Sequence, residues 1–285
     1  MIITSWNIRG LNSKGKQRYL KERLKKDKPS IMIIQETKMK QQQIQAILDK
    51  SKSKFEVMAQ DAEGSAGGLA ILWNPEEVTF ENWISLPRIL SGVCRIVGTK
   101  ERIFISGVYG PHLPRDRGNF LKNIQVVSKL ISEDVWIIGG DFNLIRGLGE
   151  KRGGVRRQDP SMDEFSELIT NLRLVDIPTT NGVFTWNNRR GGRNQIASKL
   201  DRFLLSEQAL NKDVFIEARV LPGMGSDHWP ICLEIDIKKI NIKKPFRFES
   251  FWLRNPDFLN KLEEWWNESQ VRGQCKMHTF QLRLK

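Results

Sequence analysis

Apolar residues recur along this chain with two different periods, and the alternation between them outlines its secondary structure. Short apolar runs at 2–7, 31–34 and 135–139 predict strands, the last of them bounded by two glycines and buried on both faces. Helical spacing predicts helices over 14–27, about 40–50, 115–131 and about 162–172. Pro29 is expected to end the first of these helices.

Closely spaced strand-like runs dominate the stretch from about residue 54 to residue 109. The runs at 55–59, 68–73, 77–84, 91–98 and 102–109 have no strong helix between them, which predicts an antiparallel meander. Further strands are predicted near 183–186, 199–205, 214–220 and 230–237. Together these elements predict an α+β or mixed α/β domain with two packed sheets and helices outside.

The pattern changes after about residue 238, where two pairs of lysines, at 238–239 and 243–244, indicate a linker. Beyond it, Phe258, Leu262 and the pair Trp265-Trp266 predict a short amphipathic helix. We therefore expect one domain over 1–238 and a separate linker and helix over 239–285.

Charge and cysteine content limit the functions and partners that the chain can have. The 285 residues include 46 Lys+Arg against 33 Asp+Glu, a formal charge of +13, which favours a polyanionic partner such as nucleic acid over an anionic membrane surface. Cys94, Cys232 and Cys275 show no C-x-x-C spacing, which argues against a disulfide scaffold and a zinc site and for a reduced intracellular compartment. No signal-peptide pattern and no apolar run of about 18 residues stands out, so no membrane partner is expected.

Short polar stretches come directly after the predicted strands, and the ends of sandwich strands meet at one rim. The stretches are Trp6-Asn7, Gln35-Glu36-Thr37, Tyr109-Gly110-Pro111-His112, Gly140-Asp141-Phe142-Asn143 and Gly225-Ser226-Asp227-His228, with Lys199-Leu200-Asp201-Arg202 inside a sixth run. Oxygen ligands such as Glu36 and Asp227 favour Mg²⁺ or Mn²⁺ over zinc. This inventory suits metal-assisted phosphoester hydrolysis, with Asp141 activating water.

Several of these residues also have a simpler explanation as structural residues. A D-x-N after a strand is more often a turn than a catalytic site. A lone histidine is more often structural, although His228 held by a distant carboxylate such as Asp201 would stabilise charge on a phosphate. Asp201 itself could instead pair with Arg202 or a neighbouring lysine.

The ordered set W-N, Q-E-T, Y-G-P, G-D-F-N, L-D-R-F-L-L-S and S-D-H resembles the endonuclease/exonuclease/phosphatase superfamily, over residues 3 to about 237. The phrases at 6–10 and 198–202 are most similar to the endonuclease domain of plant LINE-type (non-LTR) retrotransposon polyproteins. The segments at 246–249 and 265–266 resemble the region located C-terminal to that domain in those polyproteins. The resemblance implies a fragment or relic that lacks the downstream reverse transcriptase.

The resemblance implies a fold, an activity and a set of roles. The fold is a four-layer α-β-β-α sandwich with two packed mixed sheets, like DNase I, and the activity is Mg²⁺-dependent cleavage of a DNA phosphodiester. Glu36 would hold the metal with Asn7 and Asp227 nearby. Asp141 would orient or deprotonate water, and Asn143 would help to place it. The scissile phosphate would be bound by Tyr109 and His228, with His228 oriented by Asp201.

Two positions depart from the apurinic-site members of the superfamily. Arg9 stands where those members carry a carboxylate, and His112 stands where they tend to have asparagine. The first departure casts doubt on binding of a second metal, and both weaken a specificity for abasic sites.

Two basic loops are candidate DNA contacts. The stretch 187–195, with Arg189, Arg190 and Arg193, predicts a flexible hairpin tip that enters a groove or tracks phosphates, and the resemblance implies the same role. A second loop at 147–158 contains Lys151, Arg152, Arg156 and Arg157. An ordinary solvated turn is the alternative for each.

The function expected from these observations is a Mg²⁺-dependent DNA endonuclease that nicks one strand. Its alternatives are a phosphatase acting on inositol or lipid phosphates and a non-catalytic DNA-binding relic. DNA is the expected partner and no obligate protein partner is evident. An intracellular, nuclear location is expected, although the chain has no clear targeting signal.

Overall fold

The strands assemble into two six-stranded mixed sheets. In spatial order the first sheet contains β14 (Phe215–Val220), β15 (Ile231–Asp236), β1 (Ile2–Asn7), β2 (Ile31–Gln35), β4 (Leu69–Trp73) and β3 (Glu56–Gln60). The second contains β10 (Leu174–Asp176), β13 (Asp201–Ser206), β8 (Val135–Asp141), β7 (Arg102–Tyr109), β6 (Ile89–Ile96) and β5 (Val78–Leu86). In each sheet one pair is parallel, β1 with β2 and β7 with β8, and the other pairs are antiparallel.

This computed structural model describes residues 1–64, 66–131, 135–155, 157–210, 215–223, 225–236 and 256–268. The chain divides into two units, Met1–Ile240 and Asn241–Lys285. The linker lysines, the 246–249 segment and Cys275 lie outside the described residues, and the role predicted for 239–285 stays a prediction. None of the helices in the described ranges is long and apolar enough to cross a membrane.

Helices cover the outer faces of both sheets. Their bounds are α1 (Lys14–Asp27), α2 (Gln41–Lys50), α3 (Pro114–Ser128), α4 (Pro160–Asn171) and the short α5 (Glu207–Leu210), with α6 (Pro256–Glu268) in the second unit. The start of α1 is capped by Ser13, whose side chain accepts a hydrogen bond from the Lys16 backbone N–H. The start of α4 is capped in the same way by Asp159, and Pro160 takes the first helical position.

Three apolar clusters separate the four layers. The cluster between the sheets is built from alternate strand residues such as Ile3, Ile33 and Ile137. The intervening residues face the helices: Trp6 packs with α1 and α2, and Trp136 packs with α3 and α4. The predicted four-layer α-β-β-α sandwich is thereby confirmed.

The predicted meander is antiparallel, but it is divided between the two sheets. Strands β3 and β4 pair with each other and extend the first sheet beside β2, whereas β5, β6 and β7 belong to the second sheet. The chain changes sheets between Trp73 and Val78, so this segment helps to close the sandwich.

A small third sheet joins the two basic loops. It contains β11 (Trp186–Asn187), β12 (Ala197–Ser198) and β9 (Lys151–Arg152), with β12 in the middle. The strand predicted at 183–186 is reduced to the first residue of β11. The two basic loops, which were predicted as separate loops from the sequence, therefore form one surface.

Candidate active site

The last residues of the central strands point to the same side as the core residues that pack between the two sheets. Asn7 shares the phase of Ile3 on β1, and Asp141 shares the phase of Ile137 on β8, so both side chains emerge between the sheets. The conformation of β8 at this end depends on glycine. A Cβ at Gly140 would lie 2.1 Å from the Val108 carbonyl oxygen, and its φ of +156° is one that other residues rarely adopt.

Strand register aligns three of the predicted residues in one row. Asp141 on β8 pairs with Tyr109 on β7 and with Asp201 on β13. In the opposite sheet Asn7 pairs with Gln35, and Glu36 is the next residue along the chain. The two rows face each other across the rim, as the sequence predicts.

Asn7 connects the two sheets at this rim. Its fully buried Nδ2 donates to Glu36 Oε1 and to Asp141 Oδ2, both at 2.9 Å. Asp141 Oδ1 accepts from the Asn143 backbone N–H at 2.9 Å, and Asn143 Nδ2 donates to the Gly110 carbonyl at 2.8 Å. The D-x-N turn and the candidate catalytic pair are thus the same structure.

His228 lies between two buried carboxylates. Its Nδ1 lies 2.9 Å from Asp201 Oδ2, and its Nε2 lies 3.8 Å from Asp141 Oδ2. Burial lowers the pKa of His228, but the carboxylates of Asp201 and Asp141 outweigh it and raise the pKa above its ordinary value. For the Asp141 carboxyl, by contrast, burial raises the pKa. The geometry therefore favours an imidazolium held by Asp201.

The alternative partner for Asp201, Arg202, is engaged elsewhere. The fully buried Arg202 guanidinium contacts Asp176 at 2.6 Å and Glu150 at 2.8 Å. The Asp201 backbone N–H donates to Thr185 Oγ1 at 2.9 Å. Asp201 is consequently directed at His228.

Tyr109 presents a neutral phenol to the site. Its hydroxyl lies 2.9 Å from His112 Nε2, and burial together with the carboxylates of Glu36 and Asp141 raises the Tyr109 pKa far above its ordinary value. Burial lowers the pKa of His112, so its ring favours the neutral form. A phenol that keeps its proton can donate a hydrogen bond to an anionic oxygen.

Asp227 is held by residues whose role sequence reasoning missed. Trp186 Nε1 donates to Asp227 Oδ2 at 2.8 Å, and Arg9 Nε lies 3.0 Å from Asp227 Oδ1. Ser226 Oγ donates to the Asn7 carbonyl at 2.7 Å and fixes the segment before His228. The only sequence signals for these roles were the tryptophan that precedes the basic hairpin and the serine of S-D-H.

The donor set fits a hard divalent cation. Glu36, Asn7 and Asp227 offer oxygen atoms at one end of the rim, and Asp227 Oδ1 accepts no hydrogen bond although Arg9 Nε lies 3.0 Å from it. A second group, Asp141, Asp201 and His228, also has ligand atoms within 4.8 Å of one another. We assign this group to proton handling, because His228 Nδ1 already contacts Asp201 Oδ2 and Asp141 Oδ2 already accepts a hydrogen bond from Asn7.

Most of the candidate DNA contacts lie on the third sheet or in the hairpin that joins two of its strands. Arg190 and Arg193 are exposed in the hairpin between β11 and β12, and Arg157 is exposed beyond β9. The Arg152 guanidinium lies over the Phe184 ring at 5.1 Å, and Lys151 Nζ donates to the Val155 carbonyl at 2.8 Å. Arg156 lies outside the described residues.

Arg189 is placed differently from the other hairpin arginines. Its guanidinium donates to the Ser226 carbonyl, and the Asn187 backbone N–H donates to the Asp227 carbonyl at 3.1 Å. The hairpin is therefore attached directly to the segment that contains Asp227 and His228.

Proteins with this architecture include nucleases. An exodeoxyribonuclease from Bacillus subtilis (strain 168) is 25% identical over 260 residues, which span 83% of this chain and 100% of that protein. The structure of a 3'-5' exonuclease (NExo) from Neisseria meningitidis superposes with a TM-score of 0.67 at 18% identity, covering 83% of this chain and 100% of that one.

A retrotransposon domain has the same fold. The endonuclease domain of TRAS1, a telomere-specific non-LTR retrotransposon, superposes with a TM-score of 0.62 at 20% identity, covering 84% of this chain and 99% of that one. The sequence pattern of the Endonuclease/Exonuclease/phosphatase family matches residues 4–228, from Thr4 within β1 to His228. With most of its length matched and the rim assembled from both sheets, this chain belongs to the Endonuclease/Exonuclease/phosphatase family.

Proposed function

We propose that this chain is a Mg²⁺-dependent DNA endonuclease of the LINE retrotransposon type, which hydrolyses one phosphodiester bond to nick one strand. The observation that carries the proposal is the Asn7 amide, which joins Glu36 and Asp141 at 2.9 Å each while His228 lies 3.8 Å from Asp141. A candidate base, a candidate metal ligand and an imidazole thus share one rim.

In the proposed reaction, Asp141 accepts a proton from the attacking water and Asn143 helps to place that water. Glu36 would hold Mg²⁺ or Mn²⁺, with Asn7 and Asp227 nearby, and a bound ion would neutralise phosphate charge and assist departure of the leaving oxygen. The imidazolium of His228 and the neutral hydroxyl of Tyr109 bind the phosphate oxygens and stabilise their developing charge. Asp201 keeps His228 oriented and protonated.

DNA is the proposed partner because of the +13 charge and the basic surface formed by the third sheet. The relatives also support it, since one is named an exodeoxyribonuclease and another is a retrotransposon endonuclease domain. The LINE type is proposed from the phrases at 6–10 and 198–202. Its action on DNA would place it in the nucleus.

The test is nicking of supercoiled plasmid by the native protein and by Asp141→Asn, with Mg²⁺ and with EDTA. We expect Mg²⁺-dependent conversion to the open circle, and a loss of at least about 100-fold in Asp141→Asn because the amide cannot accept the proton. Asp116→Asn, which neutralises an exposed carboxylate on α3, is the matched control and should nick like the native protein.

Two outcomes would count against the proposal. A folded native protein that never nicks DNA but releases inorganic phosphate from small phosphoesters would favour the phosphatase alternative. Tight DNA binding without cleavage would favour the relic.

A further inference from the structure

Arg9 lies between the two carboxylates that are proposed to serve a metal ion. Its Nε is 3.0 Å from Asp227 Oδ1 and 3.8 Å from Glu36 Oε1. Both carboxylates are largely covered, whereas the Arg9 side chain is 43% exposed. A protein cation therefore reaches from solvent into the position where a divalent ion would meet both acids.

The backbone around Arg9 holds it in this place. Arg9 adopts a left-handed φ of 51°, and its N–H donates to Asn7 Oδ1 at 3.1 Å. The next residue, Gly10, donates its N–H to the Glu36 carbonyl at 2.6 Å. Lys16 Nζ donates to the Ile8 and Arg9 carbonyls, each at 2.7 Å. An unfavourable conformation that is secured by several hydrogen bonds indicates a side chain directed to one place.

The two contacts of Arg9 are unequal. Asp227 Oδ2 already accepts a hydrogen bond from Trp186, and Oδ1, which accepts no hydrogen bond, has the Arg9 guanidinium as its close cation. Glu36 Oε1 accepts from Asn7 and lies farther from the guanidinium. A divalent ion can approach Glu36 without disturbing Arg9, but it can reach Asp227 only by displacing the guanidinium.

We infer that Arg9 is a resident counterion of Asp227, which withholds that carboxylate from divalent ions and so sets the metal affinity of this rim. The inference rests on the proposed metal role of Glu36, and it assigns Asp227 to Arg9 rather than to the ion. Charge repulsion adds to the competition, because a guanidinium within about 4 Å of an ion site disfavours a second cation there.

The test measures Mn²⁺ binding by titration calorimetry, with no DNA present, in the native protein and in the variants Arg9→Gln, Asp227→Asn and the double variant. We expect Arg9→Gln to bind Mn²⁺ about tenfold more tightly, or to bind an additional ion, because the guanidinium no longer competes. Asp227→Asn should change the affinity less than about twofold in the native background but should abolish the gain in the Arg9→Gln background.

Arg9→Lys keeps a cation and should keep the weak native affinity. Arg18→Gln, which removes an exposed arginine paired with Glu22, is the matched control and should leave Mn²⁺ binding unchanged. Thermal unfolding of each variant verifies that it is folded.

An Arg9→Gln affinity equal to the native one would overturn the inference, as would the absence of Mn²⁺ binding in both proteins. An equal loss on Asp227→Asn in both backgrounds would overturn it too. Because binding is measured without DNA, a native protein that fails to nick but shows the Arg9→Gln gain would overturn the proposed function and leave this inference standing.

Discussion

Three residues at the rim adopt left-handed backbone conformations although none is glycine. The φ angles of Arg9, Glu36 and Asn143 are 51°, 50° and 51°. Each such residue costs about 1–3 kcal/mol and persists only where its surroundings secure it. Here the hydrogen bonds to Asn7, Gly10 and Asp141 do so, which directs the side chains before any ligand arrives.

From the charge on His228 we predict how the free energy of unfolding depends on pH. The nearby carboxylates raise the His228 pKa from 6.5 to about 9, although burial opposes them, so the folded state keeps a proton that the unfolded state releases above pH 6.5. The stabilisation is therefore complete below pH 6.5 and is lost as the pH rises through 9. Urea unfolding in EDTA should show that the free energy of unfolding falls by roughly 3 kcal/mol across this window.

His228→Gln is the control for this prediction, because glutamine does not titrate. The pH dependence between 6.5 and 9 should become flatter in that variant. An unchanged dependence would mean that another group is responsible.

At the residue scale, sequence predicted the acids of the site better than the groups that hold them. Asp141, Asp201 and His228 belong to polar stretches beside apolar runs whose ends must meet, so their convergence could be inferred. Trp186 is bound to Asp227 across 41 positions of the chain, and no local pattern indicates such a contact. The placement of Arg9 depends on a positive φ that a non-glycine residue does not reveal.

At the scale of secondary-structure elements, the hairpin between β11 and β12 leads to a prediction about the salt dependence of DNA binding. Arg190 and Arg193 are exposed there, so replacing both with Gln should remove two phosphate contacts. The log–log slope of DNA affinity against salt should fall by about 1.8, at about 0.9 for each contact. Fluorescence anisotropy with a labelled duplex at several salt concentrations measures the slope.

Lys26→Gln with Lys129→Gln is the matched control, because both lysines are exposed at the end of the sandwich away from the rim. Its slope should remain native. An unchanged slope in the hairpin variant would remove the proposed role of these arginines. Arg189 is excluded from the test because its contact with Ser226 would mix binding with the position of His228.

Element types were easier to predict than the sheet to which each strand belongs. The strands of the 54–109 segment lie close to their predicted positions, since alternation shows which face of a strand is buried. Alternation does not show which neighbour covers that face, so the division between the sheets was not foreseen. The two-residue strands of the third sheet are too short to produce any period.

A buried ionic network fixes the third sheet to the core. Arg202 on β13 contacts Glu150, Asp176 and the Leu144 carbonyl, while Lys199 Nζ lies 2.9 Å from Asp176 Oδ1. Removing one partner from such a network leaves an uncompensated buried charge. The basic surface is thus held rigidly beside the site rather than carried on a free loop.

For the whole molecule, the prediction concerns its division into units. Limited trypsin digestion should cut after Lys238, Lys239 or Lys243 and leave a core that unfolds cooperatively and keeps the nicking activity proposed for the chain. The reason is that the fold and all the proposed site residues belong to Met1–Ile240. Mass spectrometry identifies the fragments.

Replacing those three lysines with Gln is the control and should abolish the early cut. Early cuts inside 1–236 that destroy the core would contradict the division. These lysines lie outside the described residues, so the experiment tests the sequence prediction of a linker.

The central position of β1 determines when, during synthesis of the chain, the candidate site can be completed. Asn7 is made long before His228, yet β1 pairs with β15, and the Trp6 indole donates to the His228 carbonyl 222 positions away. A nascent chain therefore lacks β14 and β15 of the first sheet, and the Asp201–His228 contact of the rim, until the segment 201–236 has been made. The candidate site can therefore be assembled only after β15 has paired with β1.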